Sequence, residues 1–328
     1  MTLFADAFHR LHTYTRRQMD ADGAPGLTLA VTDREHLLYT ETIGYADLAA
    51  KTPVTPDHLF EIGSIGKSFT SIALLQLQEE GRIDIRAPVG EYLPWFAVQS
   101  EFPPIALHHL MSHTAGITAG LDPTPESAFQ VWLLRETRAT TPPGASFHYS
   151  NVGYKVLGLV LERVLGQGYG QIIQERILDP LGMTTASPTI TNAIRHRLAI
   201  GYSPFFDDRP WLPHHPLVPA TWLETDTADG CLAMTAADLA TYLRMLLNRG
   251  AHPGGHLLTP ASFDLLTQRV IESSTGDEPR SVQQYVSLAP RLAVTRLGPT
   301  SAHHQPWFLA LFGSYLRRTI QYHPKYVQ

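Results

Sequence analysis

The segment Ser64 to Glu80 constrains this chain more than any other. Ile72, Ala73, Leu74, Leu75 and Leu77 make it apolar nearly all round, which predicts a helix buried on every side. Gly81 is a natural terminator for it. A helix of that kind needs a thick core around it. A chain of 328 residues can build one, as one large domain or two closely joined ones. The helix starts on Ser64-Ile65-Gly66-Lys67. There are only four lysines in the chain, and Lys67 is the one that lies three residues after a serine. That spacing at a helix start puts hydroxyl and amine on one face, one turn apart. A lysine so placed acts on the serine as base or electrostatic partner, which proposes acyl transfer through a serine ester.

Composition narrows the setting. Apolar residues make up 44% of the chain and charged residues 17%, a globular balance. No run of eighteen apolar residues appears, so no transmembrane helix and no membrane partner are expected. Near the N-terminus Phe4, Phe8 and Leu11 alternate with Arg10, His12, Arg16 and Arg17. This is the pattern of an amphipathic helix and not of a signal peptide, so a cytoplasmic location is expected. Cys231 is the single cysteine, which rules out an internal disulfide. A net charge of −5 leaves no footprint for nucleic acid. His109 and His113 are four apart and would face one metal from a helix, but no glutamate holds the zincin position. Neither metal nor cofactor is expected.

Strand patterns come first. Gly26–Thr32 and His36–Tyr45 are rich in β-branched and aromatic residues, and Asp33-Arg34-Glu35 between them predicts a hairpin. Helical patterns fill the middle. Residues 4–19 read as a surface helix, 107–112 as a short helical segment and 153–165 as an apolar helix ended by Gly166. A further helix spans 236–248, with Thr235 as N-cap and Gly250 closing it. Residues 202–222, rich in proline and aromatics, read as a long loop over a cleft. The order predicts an α+β fold, an antiparallel sheet with flanking helices plus a helical part over about 64–250.

Ser64 is the candidate nucleophile. At a helix N-terminus its backbone N–H faces a bound carbonyl, and the helix dipole favours developing negative charge. Lys67 points the same way and can take the hydroxyl proton. A second cluster, Tyr149-Ser150-Asn151, precedes the next apolar helix. A tyrosine near a lysine shares a proton and delivers it to a leaving group. The Asn151 amide offers both a donor and an acceptor to the lysine and to a substrate carbonyl. Taken alone, this cluster also reads as a surface turn with Asn151 as cap.

The joint pattern is more specific than either cluster. His58 to Pro94 (HLFEIGSIGKSFTSIALLQLQEEGRIDIRAPVGEYLP), Leu110 to Ile117 (LMSHTAGI) and Pro143 to Gly166 (PGASFHYSNVGYKVLGLVLERVLG) resemble the class C β-lactamase-like serine hydrolases. Ile177 to Thr184 and Asp229 to Gly250 do the same. That family takes in D-Ala-D-Ala carboxypeptidases, D-aminopeptidases and esterases. The resemblance covers about residues 5–278. It implies a β-lactamase/transpeptidase-like fold, a five-stranded antiparallel sheet against a helical domain with the site at their seam. It implies acylation of Ser64, proton handling by Lys67 and Tyr149, and substrate binding by Asn151. The partner implied is a small ester, amide or peptide; oligomeric state is open.

Residues 279–328 depart from the pattern. All 30 acidic residues precede Pro279, while six basic ones follow it. The family's third motif, Lys-Thr-Gly or His-x-Gly on a late strand, has no clear counterpart. His252-Pro253-Gly254 matches in form but comes too early, and His303-His304-Gln305 lacks the glycine. Trp307 to Tyr315 and Gln283 to Val294 are the candidate late strands, with Pro290 interrupting the second. A divergent tail, a natural remnant and a shifted reading frame are the three explanations, and the sudden loss of acidic residues favours the last. Without late strands the first hairpin would expose an edge. Two functions follow: a serine hydrolase working through an acyl-enzyme, or an impaired or inactive member acting as a binding protein or left as an incomplete product.

Overall fold

The computed structural model describes residues 4–120, 126–206, 208–209, 212–272, 285–286 and 308–313. Its first helix, α1 (Ala5–Asp22), ends on Gly23 in the left-handed region (φ 63°). Strands β1 (Gly26–Thr32) and β2 (Leu37–Asp47) form the expected hairpin. The Asp33 carboxylate tightens its turn by accepting the N–H groups of Glu35 (2.7 Å) and His36 (2.6 Å). α1 docks on β2: Phe8 stacks on Tyr39 with centroids 4.6 Å apart, and His12 pairs with Glu41.

The helix starting at Ser64 is real, with one refinement. A 3-10 turn, Gly63–Ile65, carries the serine into α2 (Gly66–Glu79). From Gly66 to Leu75 every residue of α2 is buried. Gly81 follows in the left-handed region (φ 67°). α3 (Asn151–Leu165) is capped by Ser150, whose hydroxyl accepts the Gly153 N–H, and closed by Gly166. α4 (Ala236–Leu247) is capped by Thr235. α2 lies between the two. Phe69 stacks on Tyr242 of α4 (4.1 Å), and the Ser71 hydroxyl meets Tyr154 of α3 (3.1 Å). α4 packs small residues on the sheet, Ala236 and Ala240 on Ala30, which lets helix and sheet approach closely, and Arg244 donates to the Thr32 hydroxyl of β1 (3.4 Å).

Among the described residues the main sheet has four antiparallel strands, where the resemblance implied five. β3 (Thr52–Pro53) pairs with β2. β4 (Phe308–Gly313) pairs with β1 along its whole length, from Leu27↔Gly313 to Thr32↔Phe308. The candidate strand Trp307 to Tyr315 is thus a strand over its central part, and it covers the edge of β1. Of the second candidate only Tyr285–Val286 is described, paired with Ile271–Glu272; Pro290 and His303-His304-Gln305 lie outside the described residues. His252-Pro253-Gly254 is the tip of a small hairpin, Ala251–His252 against Gly255–His256. The stretch 202–222 is not all loop: Tyr202–Pro204 pairs with Leu217–Pro219. No helix among the described residues is long and apolar enough to cross a membrane.

Candidate active site

The site forms where α2, the residues before α3 and the residues before α4 converge. Tyr149 and Lys67 both reach Ser64. The tyrosine hydroxyl donates to Ser64 Oγ at 2.7 Å, and Lys67 Nζ donates to the same oxygen at 3.2 Å. Lys67 is wholly enclosed, at 1% exposure, which is costly for an ammonium unless it is hydrogen-bonded. Its second acceptor is the main-chain carbonyl of Asp229, 2.5 Å away. Its Nζ also lies 5.1 Å from the Tyr149 ring centroid and 5.6 Å from that of Tyr154. Burial pushes the Tyr154 phenol far above its ordinary pKa, so it stays neutral.

The Asp229 carbonyl reaches the lysine because glycines let two chain segments touch. A Cβ on Gly230 would stand 2.8 Å from the carbonyl carbon of Gly63, and one on Gly66 would stand 3.2 Å from Cα of Gly230. Just beyond this strip Phe60–Glu61 pairs with Ala233–Met234, which fixes the register of the two segments. The Ser64 turn and the Asp229 turn are therefore one packed unit.

Three of the four residues marked in the sequence come together: Ser64, Lys67 and Tyr149. Asn151 is placed differently. It opens α3, its N–H donates to the Ala119 carbonyl (2.6 Å), and its side chain makes no hydrogen bond to Ser64 or Lys67. The cap is Ser150, not Asn151. His109 and His113 do not share a metal-binding face. The helix Leu107–Met111 ends between them, and the Nδ1 atoms accept different backbone N–H groups, from Ala106 (3.1 Å) and Ser150 (3.0 Å). Burial, with His108 alongside, pushes the His109 imidazole down to about 4. Cys231 is buried with its thiol on the Pro188 carbonyl (3.2 Å), and burial raises its pKa well above the ordinary value. Such a thiol is a poor nucleophile.

Comparison with known proteins gives the family. The profile of the beta-lactamase family matches residues 11–318. The chain belongs to the beta-lactamase family. Protein Rv1367c of Mycobacterium tuberculosis is 31% identical over 282 residues, covering 76% of this chain and 69% of that protein. Protein flp of Staphylococcus aureus is 29% identical over 206 residues, 60% of this chain and 41% of flp. Among solved structures, the octameric penicillin-binding protein homologue from Pyrococcus abyssi superposes with a TM-score of 0.74 at 26% identity, over 86% of this chain and 64% of that one. EstCE1, a hydrolase with promiscuous acyltransferase activity, shares the fold at a TM-score of 0.67 and 23% identity, over 80% of this chain and 77% of its own. The beta-lactamase family match runs forty residues past the 278 boundary drawn from motifs.

Proposed function

We propose that this protein is a serine hydrolase that cleaves a small ester or amide through an acyl-enzyme on Ser64. One observation carries the proposal: the half-buried Ser64 hydroxyl is held by Tyr149 at 2.7 Å and by the buried Lys67 at 3.2 Å. Ser64 Oγ attacks the substrate carbonyl carbon, and its proton passes to the Lys67–Tyr149 pair that holds it. The N–H of Ser64, at a helix start, supports the oxyanion. The bond to the leaving group breaks, and the proton passes through Tyr149 to the departing oxygen or nitrogen. Water then adds to the ester carbon and gives its proton to the same pair; the bond to Ser64 Oγ breaks, Oγ takes a proton back from the pair, and the acid leaves. Proton transfer of this kind is worth about 10²–10⁴-fold in rate. Asn151, at the mouth of α3, is the proposed contact for the substrate carbonyl. The family's esterase-like members favour ester or peptide substrates over antibiotics as the first to test.

The test is covalent labelling. The full chain, incubated with a fluorophosphonate, is expected to gain one phosphonyl group on Ser64 with loss of fluoride, read by mass spectrometry after digestion. Ser64→Ala is expected to gain none. The composition break after residue 278 favours the second reading, an impaired or inactive member that binds without turning over. Folded protein that takes no label would support that reading and overturn the first.

A further inference from the structure

We infer that His113 is a positioning residue that aims the Tyr149 hydroxyl at Ser64; the inference rests on the role proposed above for Tyr149. Residues 147–150 have no regular secondary structure, so neither a helix nor a strand ladder fixes the tyrosine. His113 engages three successive residues there instead. Its carbonyl accepts the His148 N–H at 2.8 Å. Its Nδ1 accepts the Ser150 N–H at 3.0 Å. Its ring lies on the Tyr149 ring, centroids 4.4 Å apart and planes at 37°. The two hydrogen bonds bracket Tyr149 along the chain, and the ring contact limits the swing of the phenol between them.

The imidazole is built in and not incidental. His113 is completely buried, with Phe147 meeting its ring edge-on at 5.8 Å and Tyr154 at 5.2 Å. Its backbone sits in the left-handed region, φ 56°. Residues other than glycine seldom adopt that conformation, and histidine, asparagine and aspartate do so more readily than most. An Nδ1 that accepts an N–H leaves the ring proton on Nε2. A bulky apolar residue at 113 would keep the volume and lose the acceptor. Its two hydrogen bonds and its ring contact fall on residues 148–150, so its influence on the reaction is assigned through Tyr149.

A double-mutant cycle read by fluorophosphonate labelling tests this, with kinact and KI measured separately on the full chain. Tyr149→Phe is expected to lower kinact about 10²-fold, within the usual range for a lost proton-transfer group. His113→Leu is expected to lower kinact about thirtyfold and leave KI within about threefold, the mark of a misaimed group and not of lost probe binding. His113→Asn tolerates the left-handed backbone and offers Oδ1 near the position of Nδ1, so it should recover most of that loss. In a Tyr149→Phe background His113→Leu should cost less than about twofold, because residues acting as a unit are not additive. Unchanged kinact in His113→Leu, or an equal loss in both backgrounds, would overturn the inference. Unchanged kinact in Tyr149→Phe would instead remove the role of Tyr149 itself, and the inference with it, so the two failures are distinct. Should circular dichroism show that His113→Leu does not fold, His113→Gly takes its place. Glycine adopts φ 56° freely and deletes the imidazole, and the same two outcomes decide.

Discussion

Ser64 and Lys67 ride on the opening turns of a helix buried on nearly every side, whereas Tyr149 stands in an irregular stretch braced from the side. The first arm gets its precision from regular structure. Helix geometry sets the serine–lysine spacing, and the packing of Gly63 and Gly66 on Gly230 brings the Asp229 carbonyl to Nζ. The second arm gets its precision from long-range hydrogen bonds between 113–119 and 148–151. A helix holds a side chain through many backbone bonds at once, while a braced loop depends on a few, so damage to the two arms should look different.

The largest effect expected on the helical arm is that of Lys67→Met. It keeps the length and apolar stem of the side chain, so the fold should survive, while kinact falls by about 10³-fold. A small loss would mean that the helix supplies only Ser64. Gly230→Ala comes next. The added Cβ cannot stay 2.8 Å from the Gly63 carbonyl carbon, so the two segments must part. Unfolding by urea is expected to show a loss of about 1–3 kcal/mol, and labelling to slow by about tenfold as the Asp229 carbonyl leaves Lys67. Full stability and full rate together would show that the contact is loose. Ser150→Ala is the smallest. It removes the cap on Gly153 N–H and the bond to the Thr118 carbonyl, 2.7 Å long, which should cost about 1–2 kcal/mol in thermal or urea unfolding. The Ser150 N–H still reaches His113, so kinact should stay within about threefold of wild type. A larger fall would mean that α3 and its cap, not the histidine, hold the tyrosine.

The helices were legible in the sequence because their signals are local. Apolar period marks α2, α3 and α4, and Thr235, Gly81 and Gly166 stand where caps and terminators belong. Ser64 and Lys67 were legible because their spacing is a motif, and Tyr149 through the resemblance to the family. The rest of the site left little trace. Asp229 contributes a backbone carbonyl, an atom every residue possesses, so nothing in its identity announces the contact with Lys67. His113 did carry a signal, but a misleading one. Its i, i+4 relation to His109 has meaning only on a continuous helix, and the helix stops at Met111. The left-handed backbone that turns the imidazole toward Ser150 cannot be read from a histidine between serine and threonine. Past residue 279 motifs gave no guidance, yet Phe308–Gly313 pairs with β1 and the family match continues to 318. Both weigh for a divergent tail over a shifted frame. Translation of the other two frames past codon 278 checks this: a Lys-Thr-Gly or His-x-Gly strand in either would restore the shift.

The sequence by itself determined the buried helix, its serine–lysine face and the family, because periodicity, caps and short spacings are encoded within a few residues. Only the tertiary structure decided how Tyr149 is held and what accepts from the lysine. Those contacts join residues 37 and 162 positions apart along the chain. They depend on backbone conformation and close glycine packing, which local pattern does not encode.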